Sequence, residues 1–421
     1  MRSIATSRVL NVGMRVATLG SRFLLLFVMA GCLAPASVGE FGIVSVTVSY
    51  ALYLAGIDFY TYSTRELLGE ARDAWPRILR NQAVFQLVCY IVTLPLLAVT
   101  LGLSAMLPGR LIAWVLLLLL LEHIAQEMTR LLTVMSHTLR ATTLLFVRSG
   151  ATAIAGGIGL LASPELRTLD WVLGTWACGA ACSVLLAVRP LMQLDWRAGK
   201  QDVDWGWIAR GIRVALPLLA ATLAMRGLFT VDRYLEQAYA GPALVGVYTF
   251  FAGMAGALVA LLDAGVIAFL YPRVVAAART SDAIAFASTY RQMACSTLIL
   301  TGSFVLAAVL LVWPVLAVVA KPIYREHVDL FFLLVAASAL FSLSLVPHYA
   351  LYALGRDRDI LIINLLAIAL FLAIATCIGT RVPQQAVPIA LVAAFGFMAC
   401  GKVVRLKCVR SSRNGWTPNR A

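Results

Sequence analysis

Long apolar runs recur along the whole chain, and each run is closed by charged residues or by a proline or glycine. Each run contains about 20 residues, the length that an α-helix needs to cross a hydrocarbon core of about 30 Å. The runs do not alternate strictly between apolar and polar residues, so membrane-spanning strands are not indicated. The pattern predicts an all-α integral membrane protein with about twelve transmembrane helices. We expect these helices at residues 9–32, 41–60, 83–103, 111–135, 142–162, 171–192, 208–229, 244–270, 293–319, 330–354, 360–379 and 387–404.

The composition agrees with this pattern and excludes a soluble enzyme. Of the 421 residues, 61% are hydrophobic and only 13% are charged, whereas soluble domains contain about 25% charged residues. The first apolar run is too long for the apolar core of a signal peptide and is interrupted by Arg15 and Arg22. We therefore expect it to remain in the protein as the first helix.

Basic residues are concentrated in alternate loops, which indicates how the helices are oriented. Short loops that are rich in arginine and lysine stay on the cytoplasmic side of a membrane. Both ends of the chain belong to the basic set, so we expect both termini in the cytoplasm. The basic loops contain Arg2, Arg8, Arg65, Arg72, Arg77, Arg80, Arg140, Arg197, Lys200, Arg273, Arg279, Arg291, Arg356 and Arg358. The opposite loops contain Arg110, Arg167, Arg233, Lys321, Arg325 and Arg381.

The net charge of +14 and the pI of about 9.7 do not indicate nucleic-acid binding, because the basic residues are spread over many short loops and one tail. The tail is expected to contact anionic lipid headgroups, at about 1 kcal/mol per charge. Its basic residues are Lys402, Arg405, Lys407, Arg410 and Arg413.

The sequence lacks the motifs that are typical of cofactor, metal and catalytic sites. The eight cysteines lie mostly inside predicted helices and have no C-x-x-C spacing. The G-x-S-x-G, Walker and G-x-G-x-x-G patterns are absent. We therefore expect no cofactor, no metal and no catalytic residues, and a protein that is not an enzyme. The histidines, which form no metal-ligand pair, are His123, His137, His327 and His348.

A short internal repeat predicts the domain organisation. The segment PASVGEF at residues 35–41 has a counterpart in PALVGVY at residues 242–248, and each copy is followed by an acidic residue, Asp58 or Asp263. We expect two related, parallel six-helix halves around a central cavity, an architecture that is typical of alternating-access transporters. A chance match of proline, glycine and an aromatic residue is the alternative interpretation. The expected halves are residues 1–200 and 201–404, followed by a basic cytoplasmic tail at residues 405–421.

Charged residues lie inside several apolar runs, where each would cost about 2.5–3.5 kcal/mol if it faced lipid. Arg15 and Arg22 are two helical turns apart and share one face of the first helix. Arg148 and Arg226 add further cations to the fifth and seventh runs. In the fourth run, we expect three polar residues spaced four apart to stack along one helix face, and two others to form a neighbouring pair. The stack is Glu122, Gln126 and Arg130, and the pair is His123 and Glu127.

A cavity lined by arginine suits a phosphate or another anion, because the guanidinium group stays charged and binds oxyanions through two parallel hydrogen bonds. A lipid pyrophosphate is one candidate. The alternative is that these arginines pair with acids to hold helices together, or extend to the membrane surface. The candidate substrate-binding residues are Arg15, Arg22, Arg130, Arg148 and Arg226.

The acidic residues inside the runs are candidates for proton or sodium coupling, because a buried carboxylate is easier to protonate unless it is paired. Satisfied ion pairs are the alternative interpretation of the same residues. The candidates for ion coupling are Asp58, Glu122, Glu127 and Asp263.

Residues 20–66 resemble the start of the Wzx-type O-antigen and polysaccharide flippases, which belong to the MOP exporter superfamily. Weaker similarity to later elements of the same group extends into both halves. The first resemblance depends on GSRFL at residues 20–24, Pro35, GEFG at residues 39–42 and LAGIDFYTYSTRE at residues 54–66. The weaker similarity is in EHIAQE at residues 122–127, Arg130, VDRY at residues 231–234 and GVY at residues 246–248.

This resemblance implies an inner-membrane protein that flips an oligosaccharide, linked to undecaprenyl pyrophosphate, to the periplasmic leaflet for O-antigen or exopolysaccharide biosynthesis. It also implies coupling to a proton or sodium gradient, contact with membrane lipids, and polymerase or ligase partners. By analogy, the five arginines would contact pyrophosphate or acidic sugars, and the four acids would balance charge or carry protons. The loop at residues 34–37 lacks the acidic residues that are frequent in the family. The chain is also too short for the additional helices of the lipid II flippase branch.

Three other functions are compatible with many membrane helices. A MATE-type small-molecule or multidrug antiporter belongs to the same superfamily, but its cationic substrates would favour an acidic cavity. A membrane-embedded polysaccharide polymerase or ligase usually needs a large periplasmic loop, and every loop predicted here is short. A scaffold protein would have little reason to keep so many ionisable groups inside the membrane.

Overall fold

The computed structural model describes residues 2–196 and 202–411. Within these residues the chain is helical and contains no strand. Arg197, Lys200 and Arg413, which the sequence analysis placed in cytoplasmic segments, lie outside the described residues. The α-helices are α1 (Arg2–Cys32), α2 (Pro35–Gly56), α3 (Tyr60–Gly69), α4 (Trp75–Ser104), α5 (Gly109–Val134), α6 (Thr138–Leu145), α7 (Thr152–Ala162), α8 (Leu169–Leu191), α9 (Trp205–Ala240), α10 (Pro242–Leu262), α11 (Ala268–Arg279), α12 (Ala283–Val319), α13 (Pro322–Glu326), α14 (Val328–Ala353), α15 (Asp357–Gly379) and α16 (Ala386–Ser411). Two π-helical turns, Phe146–Ala151 and Asp263–Ile267, connect α6 to α7 and α10 to α11.

Twelve helical segments of the described chain are long and apolar enough to cross a membrane. They follow the predicted apolar runs in order, from Leu10–Cys32 to Ala386–Val409. The predicted all-α membrane fold with about twelve spans is therefore confirmed.

Proline begins the helices that contain the two copies of the repeat. Pro35 and Pro242 lie in the first turns of α2 and α10. At this position the missing N–H removes no helical hydrogen bond, and the fixed φ angle of proline favours the helix. Each copy of the repeat therefore begins a long apolar helix.

The chain forms two compact units, Met1–Thr230 and Val231–Ala421. The boundary lies within α9, so the first part of this helix belongs to the first unit. Trp207 of α9 donates a hydrogen bond from Nε1 to Oε2 of Glu66 at 3.2 Å. Gly211, one turn further on, has no room for a side chain beside two aromatic rings.

Buried aromatic side chains join α4 and α9 in the first unit. The ring centroid of Phe59 lies 4.2 Å from that of Phe85 and 5.3 Å from that of Trp207. Phe59 is 1% exposed. The cluster fixes the chain between α2 and α3 against these two helices, since closely packed rings tolerate little displacement.

A sharp break separates α2 from α3. Ile57 and Asp58 both have positive φ angles, of 49° and 50°. This conformation costs residues with a Cβ about 1–3 kcal/mol and must be held in place by the surrounding structure. Asp58 is only 7% exposed, so the break places a carboxylate inside the first unit.

The second unit is built around α14, which packs against α10, α12 and α16. Tyr324 of α13 is fully buried, and its ring lies 5.0 Å from that of Phe250 between centroids. The second π-helical turn begins at Asp263. Both acids that follow the repeat, Asp58 and Asp263, therefore lie where regular α-helix ends.

Many of the loop assignments made from the sequence, and one tail assignment, are wrong, because the helices extend beyond the predicted apolar runs. The basic residues that were assigned to loops but lie inside helices include Arg65, Arg77, Arg140, Arg273, Arg291 and Arg325. Arg233 was assigned to an outer loop, but it lies inside α9. The helix continues through this charge because Asp232 neutralises Arg233, with 2.9 Å between Nη1 and Oδ2. Lys402 was expected to contact lipid headgroups, but it is 1% exposed in α16. This helix continues to Ser411, so the first residues of the predicted tail are helical.

Gly56→Ala is expected to destabilise the protein, whereas Gly20→Ala is not. A Cβ at Gly56 would overlap with Nε2 of the buried His123 imidazole, so α2 or α5 must shift, at a cost of about 1–3 kcal/mol. A Cβ at Gly20 would meet nothing within 4 Å, and alanine favours a helix interior over glycine by about 1 kcal/mol. Thermal unfolding of both purified variants in one detergent measures the difference. Equal midpoints for the two variants would contradict the close approach of α2 to α5.

Candidate functional site

A cavity of about 210 Å³ lies inside the first unit. Its charged residues are Arg22 of α1, Glu122 of α5 and Arg148 of the first π-helical turn. We call this space the cationic cavity, because two arginines face one carboxylate. The uncharged polar residues of its wall are Ser45, Ser49, Gln126, Ser149, Thr152, Thr175 and Trp176.

Helical spacing brings the wall residues together. On α2, Ser45 and Ser49 are four residues apart and therefore lie on one face. On α5, Glu122 and Gln126 have the same spacing and share one helix face, as the sequence analysis expected. Both residues line the cavity. Sequence reasoning missed the other uncharged polar residues of the wall, including these serines and Trp176. Serine, threonine or tryptophan inside an apolar run gives no strong signal.

Arg148 lies in the π-helical turn Phe146–Ala151. Such turns are rare and often occur at functional sites, since the widened turn changes the direction of its side chains. Thr152 Oγ1 donates a hydrogen bond to the carbonyl oxygen of Arg148 at 2.9 Å. Gly179 of α8 packs so closely against Thr152 that a Cβ there would overlap with it. Close packing therefore holds the turn that carries the arginine.

The guanidinium group of Arg148 is buried and incompletely paired. The residue is 9% exposed, and its Nε lies 3.4 Å from Oε2 of Glu122. Neither Nε nor Nη1 has a hydrogen-bond partner in the described structure. Since an unsatisfied buried donor costs about 1–3 kcal/mol, more for a charged group, this arginine is prepared to bind an acceptor.

Glu122 is held mainly from the other side of the cavity. The indole Nε1 of Trp176 donates a hydrogen bond to Oε1 of Glu122 at 2.6 Å. Glu122 is 7% exposed, whereas Arg22 is exposed at the cavity wall. Arg22 lines the same cavity, so two guanidinium groups are present with one carboxylate and the cavity keeps an excess of positive charge.

A second group of charges lies on the neighbouring face of α5. Glu127 accepts a hydrogen bond from Nε2 of Gln82 at 2.8 Å and forms an ion pair with Arg130. The guanidinium carbon of Arg130 lies 3.5 Å from the ring centroid of Tyr60. Arg130 therefore pairs with Glu127 rather than stacking with Glu122 and Gln126, because the i,i+3 carboxylate is within its reach.

Asp58 is connected to the seventh span. The Thr222 side chain of α9 lies beside its carboxylate. Arg226, one turn beyond Thr222, is exposed, and its guanidinium carbon lies 5.7 Å from the ring centroid of Tyr53. Asp58 at the break and Tyr53 of α2 thus approach α9, outside the lining of the cationic cavity.

Two predicted site residues lie apart from these groups. Arg15 is exposed on α1 and does not line the cationic cavity, although it shares a helix face with Arg22. Asp263 is exposed in the second unit. Spacing along one helix identifies a shared face, but it cannot indicate where along that face a cavity ends.

The second unit contains a buried polar group that sequence reasoning missed in part. Tyr248 donates a hydrogen bond to Oδ2 of Asp232 at 2.7 Å. Glu236, one helical turn after Asp232, is fully buried, and neither of its carboxylate oxygens has a hydrogen-bond partner in the described structure. The sequence contained one signal for this buried polar group, namely two acids four residues apart and a tyrosine in the nearby repeat.

No family model matches this sequence, and no curated protein matches it. The fold, by contrast, is similar to solved structures. The inward-facing conformation of a multidrug resistance MATE family transporter of the MOP superfamily superposes with a TM-score of 0.73. The match covers 96% of this chain and 99% of the other, at 13% identity. The chain has the MATE fold.

The lipid II flippase MurJ, in an inward closed conformation, has the same fold. Its TM-score is 0.73 at 11% identity, over 94% of this chain and 87% of the other. An outward-facing MATE family transporter of the MOP superfamily matches with a TM-score of 0.60 at 14% identity, over 96% of both chains. The predicted MATE-like fold is therefore confirmed.

Replacing Glu127 by alanine is expected to destabilise the protein by about 1–3 kcal/mol, because Gln82 and Arg130 lose a buried acceptor. Asp359→Ala is the matched control, since Asp359 also pairs with an arginine, Arg405, but at a more exposed position. Exposed pairs contribute about 0–1 kcal/mol. Thermal unfolding in detergent compares the two. If Asp359→Ala lowers the stability as much as Glu127→Ala does, burial does not decide how much an ion pair contributes to stability.

Proposed function

We propose that this protein translocates an anionic lipid-linked saccharide across the membrane, and that the cationic cavity binds the phosphate or pyrophosphate group. The substrate is an oligosaccharide repeat unit on undecaprenyl pyrophosphate, which moves to the periplasmic leaflet of a bacterial inner membrane. O-antigen or exopolysaccharide biosynthesis then consumes it. Both termini lie in the cytoplasm, as the distribution of arginine and lysine favours.

The incomplete pairing of Arg148 is the observation that carries this proposal. Its Nε and Nη1 atoms are buried without hydrogen-bond partners beside Glu122. Arg22 faces the same cavity. A phosphate oxygen is the acceptor that best suits such a group, because guanidinium and phosphate form paired, charge-assisted hydrogen bonds.

The size of the cavity indicates which part of the substrate it binds. Pockets that enclose whole ligands measure about 300–1,000 Å³, whereas this cavity measures about 210 Å³. It therefore accommodates a small charged group and leaves the sugars and the lipid chain outside. The serines and Gln126 of the wall supply neutral hydrogen-bond donors for the remaining oxygens.

A small-molecule antiporter is the second candidate, since MATE transporters have the same fold. The charge of the cavity distinguishes the two functions. A cationic substrate would meet Arg22 and Arg148, which outnumber Glu122. Like charges at short range repel by several kcal/mol in a protein interior, so the cavity favours anions.

Arg22→Ala and Arg148→Gln are expected to block translocation, whereas Arg15→Ala is not. Each cavity arginine contributes charge-assisted hydrogen bonds worth about 1.5–3 kcal/mol, which corresponds to roughly 10- to 100-fold weaker binding. Arg15 is the matched control, because it lies on the same helix face but outside the cavity lining. The measurement uses a strain in which this gene is deleted and one variant at a time is supplied. Lipid-linked repeat units are counted, and their sugars are tested with a probe that reaches only the periplasm.

Accumulated units that the probe cannot reach, in both cavity variants and not in Arg15→Ala, are the expected result. Units that reach the periplasm but are not polymerised would indicate a polymerase or ligase instead. Unchanged lipid-linked sugars in the strain without the gene would favour the small-molecule antiporter. Membrane levels of each variant, measured by immunoblot, exclude loss of the protein as the cause.

A further inference from the structure

Three tyrosine side chains form one aromatic surface in the second unit. Tyr271 lies on α11, and Tyr349 and Tyr352 lie three residues apart on α14, where such residues are neighbours on the helix surface. The ring centroid of Tyr271 lies 4.9 Å from that of Tyr349 and 6.0 Å from that of Tyr352. Tyr352 is 50% exposed, and the other two residues are half-buried. We call these three residues the tyrosine cluster.

Charged side chains surround the tyrosine cluster. Asp263, at the start of the second π-helical turn, lies close enough to Tyr349 to interact with it electrostatically. Asp357 and Arg279 lie similarly close to Tyr271. All three charged residues are exposed. The cluster therefore offers aromatic rings together with carboxylate acceptors and a guanidinium donor.

We propose that the tyrosine cluster binds a pyranose ring of the saccharide that the substrate carries, through stacking of a C–H face of the sugar on an aromatic ring. The inference rests on the proposed function, because it requires a transported molecule that contains a saccharide. The cationic cavity of the first unit is too small to enclose the sugars. The tyrosine cluster gives them a separate binding surface in the second unit.

Stacking suits a pyranose because its edge and its faces differ in polarity. Hydroxyl groups point mainly outward from the edge of the ring, whereas C–H bonds with a small positive charge cover the faces. The face of an aromatic ring carries the negative part of its quadrupole and attracts such bonds. Asp263 beside Tyr349, and Asp357 beside Tyr271, can accept hydrogen bonds from the hydroxyl groups at the edge.

The position of Asp263 distinguishes the tyrosine cluster from aromatic residues that only anchor a helix. Anchoring tyrosines lie at the membrane–water interfaces with their rings at the level of the lipid headgroups. Asp263 lies within the apolar segment Pro242–Arg279, where a carboxylate that faces lipid is costly. Since Asp263 is exposed and lies beside Tyr349, this side of the cluster faces water rather than lipid.

The spacing of the rings favours a sugar over an organic cation. An aromatic cage holds a cation between separated rings, with the charge within about 6 Å of each ring centroid. In the tyrosine cluster, the centroid distances from Tyr271 are those of rings in direct contact. The rings therefore form a continuous surface over which a flat sugar can lie, and Arg279 beside it would repel a cation.

Saturation-transfer NMR on the purified full-length protein tests the inference, with methyl β-D-glucopyranoside as the probe. The protein is kept in a detergent without a sugar headgroup, because a glucoside or maltoside detergent would compete. Sorbitol is the control ligand, since it has the same kind of hydroxyl groups but no rigid ring face. We expect saturation of the glucoside and not of sorbitol. Within the glucoside, the signal should concentrate on the axial C–H protons of one face.

Tyr352→Leu is expected to weaken glucoside binding roughly 3- to 10-fold, because it removes the most exposed ring of the cluster. Tyr352→Phe keeps the ring and should bind like the unmodified protein. Tyr239→Leu is the matched control in the second unit. Tyr239 is a half-buried tyrosine of α9 that packs against Gly379, outside the cluster. Its replacement should leave glucoside binding unchanged.

Three results would overturn the inference and leave the phosphate site of the cationic cavity intact. They are an unsaturated glucoside, equal saturation of sorbitol, and equal glucoside binding by Tyr352→Leu and the unmodified protein. Uniform saturation of all ring protons would also overturn it, and this result needs no variant, should Tyr352→Leu fail to fold. Tetramethylammonium that becomes saturated and displaces the glucoside would overturn it in favour of an organic cation.

The proposed function fails separately from the sugar site. Glucoside binding that is lost in Tyr352→Leu, together with unchanged lipid-linked sugars in the deletion strain, supports the sugar site but contradicts the transport of a lipid-linked saccharide. Accumulated lipid-linked units without glucoside binding support the proposed function and overturn the sugar site.

Discussion

A charge inside a membrane protein needs a partner, because lipid offers neither water nor counter-ions. The first unit meets this requirement twice on α5. Glu127 and Arg130 satisfy each other together with Gln82. Glu122 is shared between Trp176 and a loosely held Arg148, with Arg22 nearby. In the first group the charged side chains pair with each other, whereas in the second group Arg148 keeps donors without hydrogen-bond partners. Only the second group lines the cationic cavity.

Irregular backbone positions these charges. Arg148 lies in a π-helical turn, and Asp58 is the second of two consecutive residues in the left-handed conformation. Both irregularities are held by close packing, at Gly179 against Thr152 and at Gly56 against His123. Strain of about 1–3 kcal/mol at such positions persists only when the surroundings determine the conformation. The helices therefore supply a rigid frame, and their interruptions direct the polar groups inward.

The chain shares its fold with MATE transporters and with MurJ at 11–14% identity. Membrane burial explains how such different sequences reach one fold, since any apolar residue of suitable size can face lipid. The constraint on sequence is concentrated in the few charged and small residues inside the spans. These residues are where function can differ on a common frame, and here they form a cavity with excess positive charge.

The sequence alone determined the number and the order of the membrane spans and the proline that begins each copy of the repeat, because span length and proline chemistry are local properties. It also placed Glu122 and Gln126 on one helix face. Only the tertiary structure decided that Arg22 and Arg148 share a cavity while Arg15 does not, and that Arg130 pairs with Glu127. It also decided that Arg233 lies inside a helix and that Lys402 is buried. These outcomes depend on which helices become neighbours and on where a π-helical turn changes the direction of a side chain, and neither is encoded in the spacing of residues along one helix.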